Sequence, residues 1–119
     1  MSASDNQLHY LEIVTPNIES TQEHHETVLG WTFEGPIPEL GNAMIASMPG
    51  SGTCGIRAPM HDMEKATVRT YYLVSNLEQS VEIAIAAGAI LALPPTEIPG
   101  RGRIAIYMLG DIEQGLWQI

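Results

Sequence analysis

A chain of 119 residues with 14 acidic and 5 basic side chains, formal net charge −9, can bury one sizeable core but not two independent ones. That charge repels phosphate backbones and anionic membrane surfaces, and the few cations form no clustered stripe, so no nucleic-acid or membrane partner is expected. The single cysteine, Cys54, allows neither an internal disulfide nor a multi-thiolate zinc site, and it is expected to be a buried, inert thiol.

The opening "MSASDNQ" lacks the cationic and apolar regions of a secretion signal, and the longest apolar run, residues 83–93, is too short for a membrane span. A cytoplasmic location is the resulting expectation. The first element, "LHYLEIVT" at residues 8–15, is rich in β-branched and aromatic side chains and stops at Pro16, which removes a ladder donor. Asn17 then reads as the N-cap of a helix whose acidic residues Glu19 and Glu23 suit the positive end of the dipole and which stops at Gly30. Three short strands follow: "WTFEG", "AMIASM" and "TCGIRAP".

The pattern then restarts. "TYYLVSNLEQS" echoes "YLEIVTPNIES" at an offset of 59 residues, with Asn76 in the capping place of Asn17 and Glu78 in that of Glu19. "TVRTYYLV" is a strand, and Val81, Ile83, Ala84 and Ile85 supply the apolar face of a second helix that ends before Gly88. "AILALPP", "RIAIYM" and "QGLWQI" complete the repeat, and Gly55-Ile56-Arg57 matches Gly115-Leu116-Trp117 at an offset of 60. The expectation is an α+β chain, residues 1–119, of two β-α-β-β-β modules at about 7–60 and 67–119. Neither module can cover both its helix and its sheet face alone, so the two must pack together.

The doubled unit, with "LGW" at the end of the first helix and "IPGRGRIAIY…GLWQ" near the C-terminus, resembles the vicinal oxygen chelate superfamily of glyoxalases, bleomycin-resistance proteins and extradiol dioxygenases, most closely its glyoxalase-like branch. The resemblance covers nearly the whole chain. It implies paired modules whose curved sheets enclose a ligand cleft, helices on the outside, and frequent pairing into homodimers. Metal-dependent members place His or Glu ligands near the start of the first strand and the end of the last strand of each module. Carried onto this chain, those positions fall at Tyr10, Gly55, Arg69 and Gly115. Glycine has no side-chain donor, arginine stays protonated, and a lone tyrosine cannot hold a divalent ion, so no metal and no cofactor are expected.

A register slip of one residue would put His9 in the first position, but Val68 would then stand opposite it in the repeat and no site would be completed. His24 and His25 are adjacent on a helix and point about 100° apart, so they read as a polar face, and His61 in "APMHDMEK" as a linker residue.

In the register chosen, Tyr10, Glu12 and Val14 face the cleft from the first strand, and Arg69, Tyr71 and Leu73 face it from the matching strand. Leu11 and Ile13 then pack under the helices. Arg57 and Trp117 lie two residues beyond the glycines and also point inward. Tyr10, Glu12, Arg57, Arg69, Tyr71 and Trp117 thus compose an aromatic lining with a few charges, suited to a small organic ligand, and the two glycines leave room for it to approach the backbone. Trp117 could equally fill the cleft, and one of the adjacent tyrosines Tyr71 and Tyr72 must be core. A carboxylate within an apolar strand needs a partner, so Glu12 is read either as ion-paired to Arg57 or Arg69 or as a general acid or base. Two functions follow: a metal-free binding protein for a small organic molecule, as in the bleomycin-resistance proteins, or a small-molecule enzyme of lyase, isomerase or oxygenase type using Glu12. A homodimer is expected in either case.

Overall fold

The computed structural model describes residues 6–119. The element order is β1 (Leu8–Val14), α1 (Ile18–Leu29), β2 (Glu34–Ile37), a 3₁₀ turn (Pro38–Leu40), β3 (Ala43–Ser47), β4 (Thr53–Arg57), β5 (Thr67–Leu73), α2 (Leu77–Ala86), β6 (Ile90–Ile98), β7 (Gly102–Leu109) and β8 (Ile112–Gln118). This is the expected α+β arrangement of two β-α-β-β-β modules. The chain forms two compact units, Tyr10–Val68 on one hand and Arg69–Ile119 with the segment ending at His9 on the other.

In the first module the strands run β2-β3-β4-β1, and in the second β5-β8-β7-β6. Each module closes by laying its first strand parallel to its last, β1 on β4 and β5 on β8, while the remaining pairs are antiparallel. A parallel pair requires a long crossover, and the helix together with two strands supplies it. Glu12 stands opposite Gly55, and Tyr71 opposite Gly115, so the repeat seen in the sequence is also a repeat of register.

Asn76 caps α2 through its side chain, which accepts a hydrogen bond from Gln79 N at 3.0 Å, and Gln118 Oε1 accepts another from Leu77 N at 2.7 Å. Asn17 occupies the same position before α1, but its side chain makes no capping bond. Instead its carbonyl accepts from Thr21 N at 3.1 Å and Ser20 Oγ at 3.2 Å, while its own N–H donates to Thr15 Oγ1. The helix stop at Gly30 is as expected: its φ of 71° is left-handed, where a residue without Cβ is unstrained.

The second module's core joins Leu77 and Val81 of α2 to Val74, Ala105 and Leu116, with Tyr72, Leu91 and Tyr107 packed against it. Of the adjacent pair Tyr72 is the one packed against this cluster, although Tyr71, on the other face, is the more deeply buried. The helix face is narrower than expected, since Ile83 and Ile85 are exposed: burial follows the i, i+4 pair Leu77 and Val81.

Two strands differ from expectation. "WTFEG" is not paired into the sheet along its whole length; the rings of Trp31 and Phe33 lie 5.8 and 6.4 Å from that of His25 on α1, and the strand begins only at Glu34. His25 is thus part of an aromatic group rather than a merely polar face, its Nδ1 donating to Thr21 O at 2.8 Å. Conversely β6 continues through Pro94 and Pro95 to Ile98. It is the outer strand of its four, and its register against β7 shifts on both sides of Leu93, so the missing donors cost no regular ladder bonds. No helix among the described residues is long and apolar enough to cross a membrane.

Candidate functional site

Every one of the six residues singled out from the sequence is buried: Tyr10, Glu12 and Arg57 in the first module, and Arg69, Tyr71 and Trp117 in the second. In the first module, parallel pairing puts Tyr10, Glu12 and Val14 of β1 on the same sheet face as Thr53, Gly55 and Arg57 of β4. Glu12 Oε2 accepts from Arg57 Nε at 2.8 Å, so of the two arginines weighed as partners Arg57 makes this contact.

The same guanidinium has a second acid, which sequence reasoning placed in a linker. Glu64 takes Arg57 as a fork, Nη1 to Oε1 at 2.8 Å and Nη2 to Oε2 at 2.7 Å, while Met60 N donates to Glu64 Oε1 and Arg57 Nη1 also donates to the Ala58 carbonyl. The Glu64 hydrogen bonds do most to hold the Arg57 proton, with Glu12 adding to them against the cost of burial. The only sequence signal for Glu64 was its proximity to an arginine destined for burial, because the intervening loop has no periodicity to reveal a direction.

In the second module Arg69, Tyr71 and Leu73 of β5 share a face with Glu113, Gly115 and Trp117 of β8. Arg69 donates to Glu113 Oε2 through Nε at 3.0 Å and Nη2 at 2.7 Å. Glu113 was also missed, although extending the Tyr71–Gly115 register by two residues would have placed it opposite Arg69. Trp117 is held by its indole N–H on the Arg101 carbonyl at 2.8 Å and packs edge-on against Tyr71 and His9, with centroids 5.7 and 5.0 Å apart. The "IPGRGR" turn therefore positions Trp117. Burial lowers the affinity of His9 for a proton.

The two glycines do not leave open space. A Cβ on Gly55 would lie 1.6 Å from Tyr10 Oη, and one on Gly115 would lie 2.2 Å from a ring carbon of Tyr71. Each tyrosine covers the glycine of its own module, which corrects the expectation that a ligand approaches the backbone there. It also decides how a chelated metal fits. Two of the four positions implied by the resemblance have no side chain and are roofed by aromatic rings, a third is a guanidinium bound to a carboxylate, and the fourth is one of the roofing tyrosines. A chelate does not fit this donor set. Among the described residues no three His, Cys, Asp or Glu side chains are grouped to hold a metal ion.

Cys54 is fully buried, and burial raises its thiol to about 11. The first module also has an open depression of about 650 Å³ bordered by Leu29, Trp31, Ile45, Met48 and Thr53, which contains none of the six predicted residues.

Among solved structures the chain is similar to methylmalonyl-CoA epimerase from Mycobacterium tuberculosis, with 17% identity and TM-score 0.74 over 99% of this chain and 91% of that one. It is also similar to a hypothetical protein from Bacillus halodurans C-125, at 14% identity and TM-score 0.73 over 96% and 94% of the two chains. A Streptomyces coelicolor methylmalonyl-CoA epimerase variant in complex with 2-nitronate-propionyl-CoA gives 12% identity and TM-score 0.67 over 97% and 98%. At these identities the likeness is one of fold. No protein-family model and no curated protein sequence matches the chain.

Proposed function

The chain has the fold of the vicinal oxygen chelate superfamily, and we propose that it uses this fold to bind a small organic molecule without a chelated metal. One observation carries the reading: the positions that would supply ligands are Tyr10, Gly55, Arg69 and Gly115, and the space at both glycines is filled by tyrosine rings. What the modules hold instead are buried aromatic rings and buried guanidinium groups, from Tyr10, Tyr71, Trp117, Arg57 and Arg69. Aromatic rings supply contact area at low entropic cost, and arginine recognises an anionic or carbonyl group with fixed geometry. Arg69 is proposed to select such a ligand. The chain is further proposed to act as a cytoplasmic homodimer; sedimentation at the 12.9 kDa monomer mass would count against the dimer.

Elemental analysis with native mass spectrometry of freshly purified protein tests the binding reading. Expected are no stoichiometric transition metal and a retained organic mass. One equivalent of zinc, nickel, iron or manganese surviving dialysis against a weak chelator would overturn it.

A second reading, an enzyme using Glu12 as general acid or base, draws support from the catalytic names of the epimerases that share the fold. The Glu12–Arg57 ion pair weighs against it, because it already accounts for a buried carboxylate without catalysis.

A further inference from the structure

The open depression of the first module, about 650 Å³, has the size of a small-molecule site. Its wall is largely apolar: Leu29 at the end of α1, Trp31 in the segment that follows, Ile45 of β3, and Met48 in the turn after it. Leu29 stays 51% exposed and Trp31, Ile45 and Met48 are only half-buried, so the wall keeps apolar surface that a ligand would cover. The Trp31 ring lies beside His25 of α1, with centroids 5.8 Å apart. Pairing of β2 with β3 sets Glu34 beside Ile45, and pairing of β3 with β4 sets Ser47 beside Thr53, so a carboxylate and two hydroxyls border the same space. Glu34 is exposed, and among the described residues its side chain meets no hydrogen-bond or ion-pair partner. No other charged residue among those described borders the depression. The two cations of this module, Arg57 and Lys65, lie outside its wall, and Arg57 is bound to Glu12 and Glu64.

We propose that this depression is a separate binding site for an organic ammonium ion carried on an apolar body. The apolar wall takes the body, and Glu34 with the Trp31 ring takes the charge. An indole ring attracts a cation through its quadrupole, and tryptophan is the strongest of the aromatic side chains in this respect. Because the Glu34 carboxylate stands in water at the edge of the wall, the ammonium keeps part of its hydration and no buried ion pair has to form. The Ser47 and Thr53 hydroxyls are further acceptors for its remaining N–H groups. Long-range electrostatics has the same sign, since a chain of net charge −9 attracts cations and repels anions. A carboxylic acid or phosphate would meet Glu34 with no cation on the wall to offset it. The site differs from the one proposed around Arg69 in its residues and in the charge of its ligand, and it does not rest on that reading.

The test titrates the full-length protein near neutral pH with tryptamine, a cation, with tryptophol as its neutral counterpart and indole-3-propionate as an anionic one, followed by amide and indole N–H NMR shifts. Tryptamine is expected to shift the signals of Trp31, Ile45, Ser47 and Thr53 saturably, tryptophol to do so about tenfold more weakly, and indole-3-propionate to leave them in place. Glu34→Gln changes an exposed side chain on an edge strand and should fold; it is expected to weaken tryptamine about threefold and leave tryptophol unchanged, and added salt should weaken tryptamine in the same way. Trp31→Leu should weaken both. Equal affinity for tryptamine and tryptophol, tryptamine binding indifferent to Glu34→Gln, saturable shifts confined to other residues, or no shift with tryptamine at all would each overturn the proposal. None of these results decides the Arg69 reading, which is tested with acidic ligands against Arg69→Met.

Discussion

The hydroxyl of Tyr10 occupies the space where a side chain on Gly55 would begin, 1.6 Å from the position of a Cβ there. Tyr71 covers Gly115 through the body of its ring, with three carbons 2.2 to 2.7 Å from the Cβ position. The duplicated glycines are thus both covered by a tyrosine, but from inequivalent positions: Tyr71 pairs directly with Gly115, whereas Tyr10 pairs with Thr53 and reaches Gly55 diagonally.

Gly55→Ala and Gly115→Ala should each destabilise by about 1–3 kcal/mol through overpacking. Gly115→Ala should be the costlier, because the Tyr71 ring sits squarely over the site whereas only the tip of Tyr10 must move from Gly55. Denaturant melts of a double-mutant cycle with Tyr71→Leu check the cause: the pair should lose less than the sum of the singles. Strict additivity would mean that the ring is not what excludes the side chain.

Arg57→Met should cost about 3–5 kcal/mol, since it leaves two covered carboxylates, Glu12 and Glu64, without their shared cation. Glu113→Gln should cost less, because that carboxylate, the acceptor of Arg69 Nη2, is 40% exposed and its ion pair is largely screened by water. Urea unfolding of the two variants side by side measures the difference, and equal losses would contradict this ordering.

Why the register was legible while the partners were not follows from these residues. Strand alternation and the paired asparagine caps fix that Tyr10 shares a strand face with Glu12, and Arg69 with Tyr71, since a side chain's direction in a strand is a local property. The two modules could be laid over one another from the sequence for the same reason. Glu64 could not be placed, because an irregular loop carries no period, and Trp31 and Phe33 were taken for a strand because their β propensity is the same whether they pair in the sheet or stay unpaired with their rings near His25. The glycines were misread for a different reason. A missing side chain shows that something approaches closely, and only the fold shows that it is the protein's own tyrosine.

His9 should make stability fall on mild acidification. Burial holds its folded-state proton affinity below the ordinary value of 6.5, so the unfolded chain takes up the proton first. The stabilising contribution is therefore complete above pH 6.5 and is lost as pH falls below that value towards the lower folded-state titration. His9→Leu should flatten the stability profile across this window while keeping apolar contact with Trp117, whose ring centroid lies 5.0 Å from that of His9. An unchanged slope in the variant would assign the acid sensitivity elsewhere.

Glu78, in the first turn of α2, pairs with Arg103 of β7, Nη2 reaching Oε1 at 2.9 Å and Nη1 reaching Oε2. The guanidinium hydrogen bonds, and then a backbone bond at its own position, hold the Glu78 carboxyl down at about 2, against an ordinary 4.5. The sign is that of a depressed acid: its contribution is present above pH 4.5 and disappears as pH falls through about 2. The pair is open to water, so salt should weaken it and its share of the global stability is small. Its local consequence is sharper, because Arg103 Nη2 also donates to Gln118 Oε1 at 3.3 Å, and that same oxygen accepts from the first amide of the helix. Arg103→Gln should therefore return the Glu78 titration towards 4.5 and raise the exchange rate of the Leu77 amide. Carboxyl NMR titration with amide exchange reads both, and a wild-type midpoint already near 4.5 would show that the pair does not persist in solution.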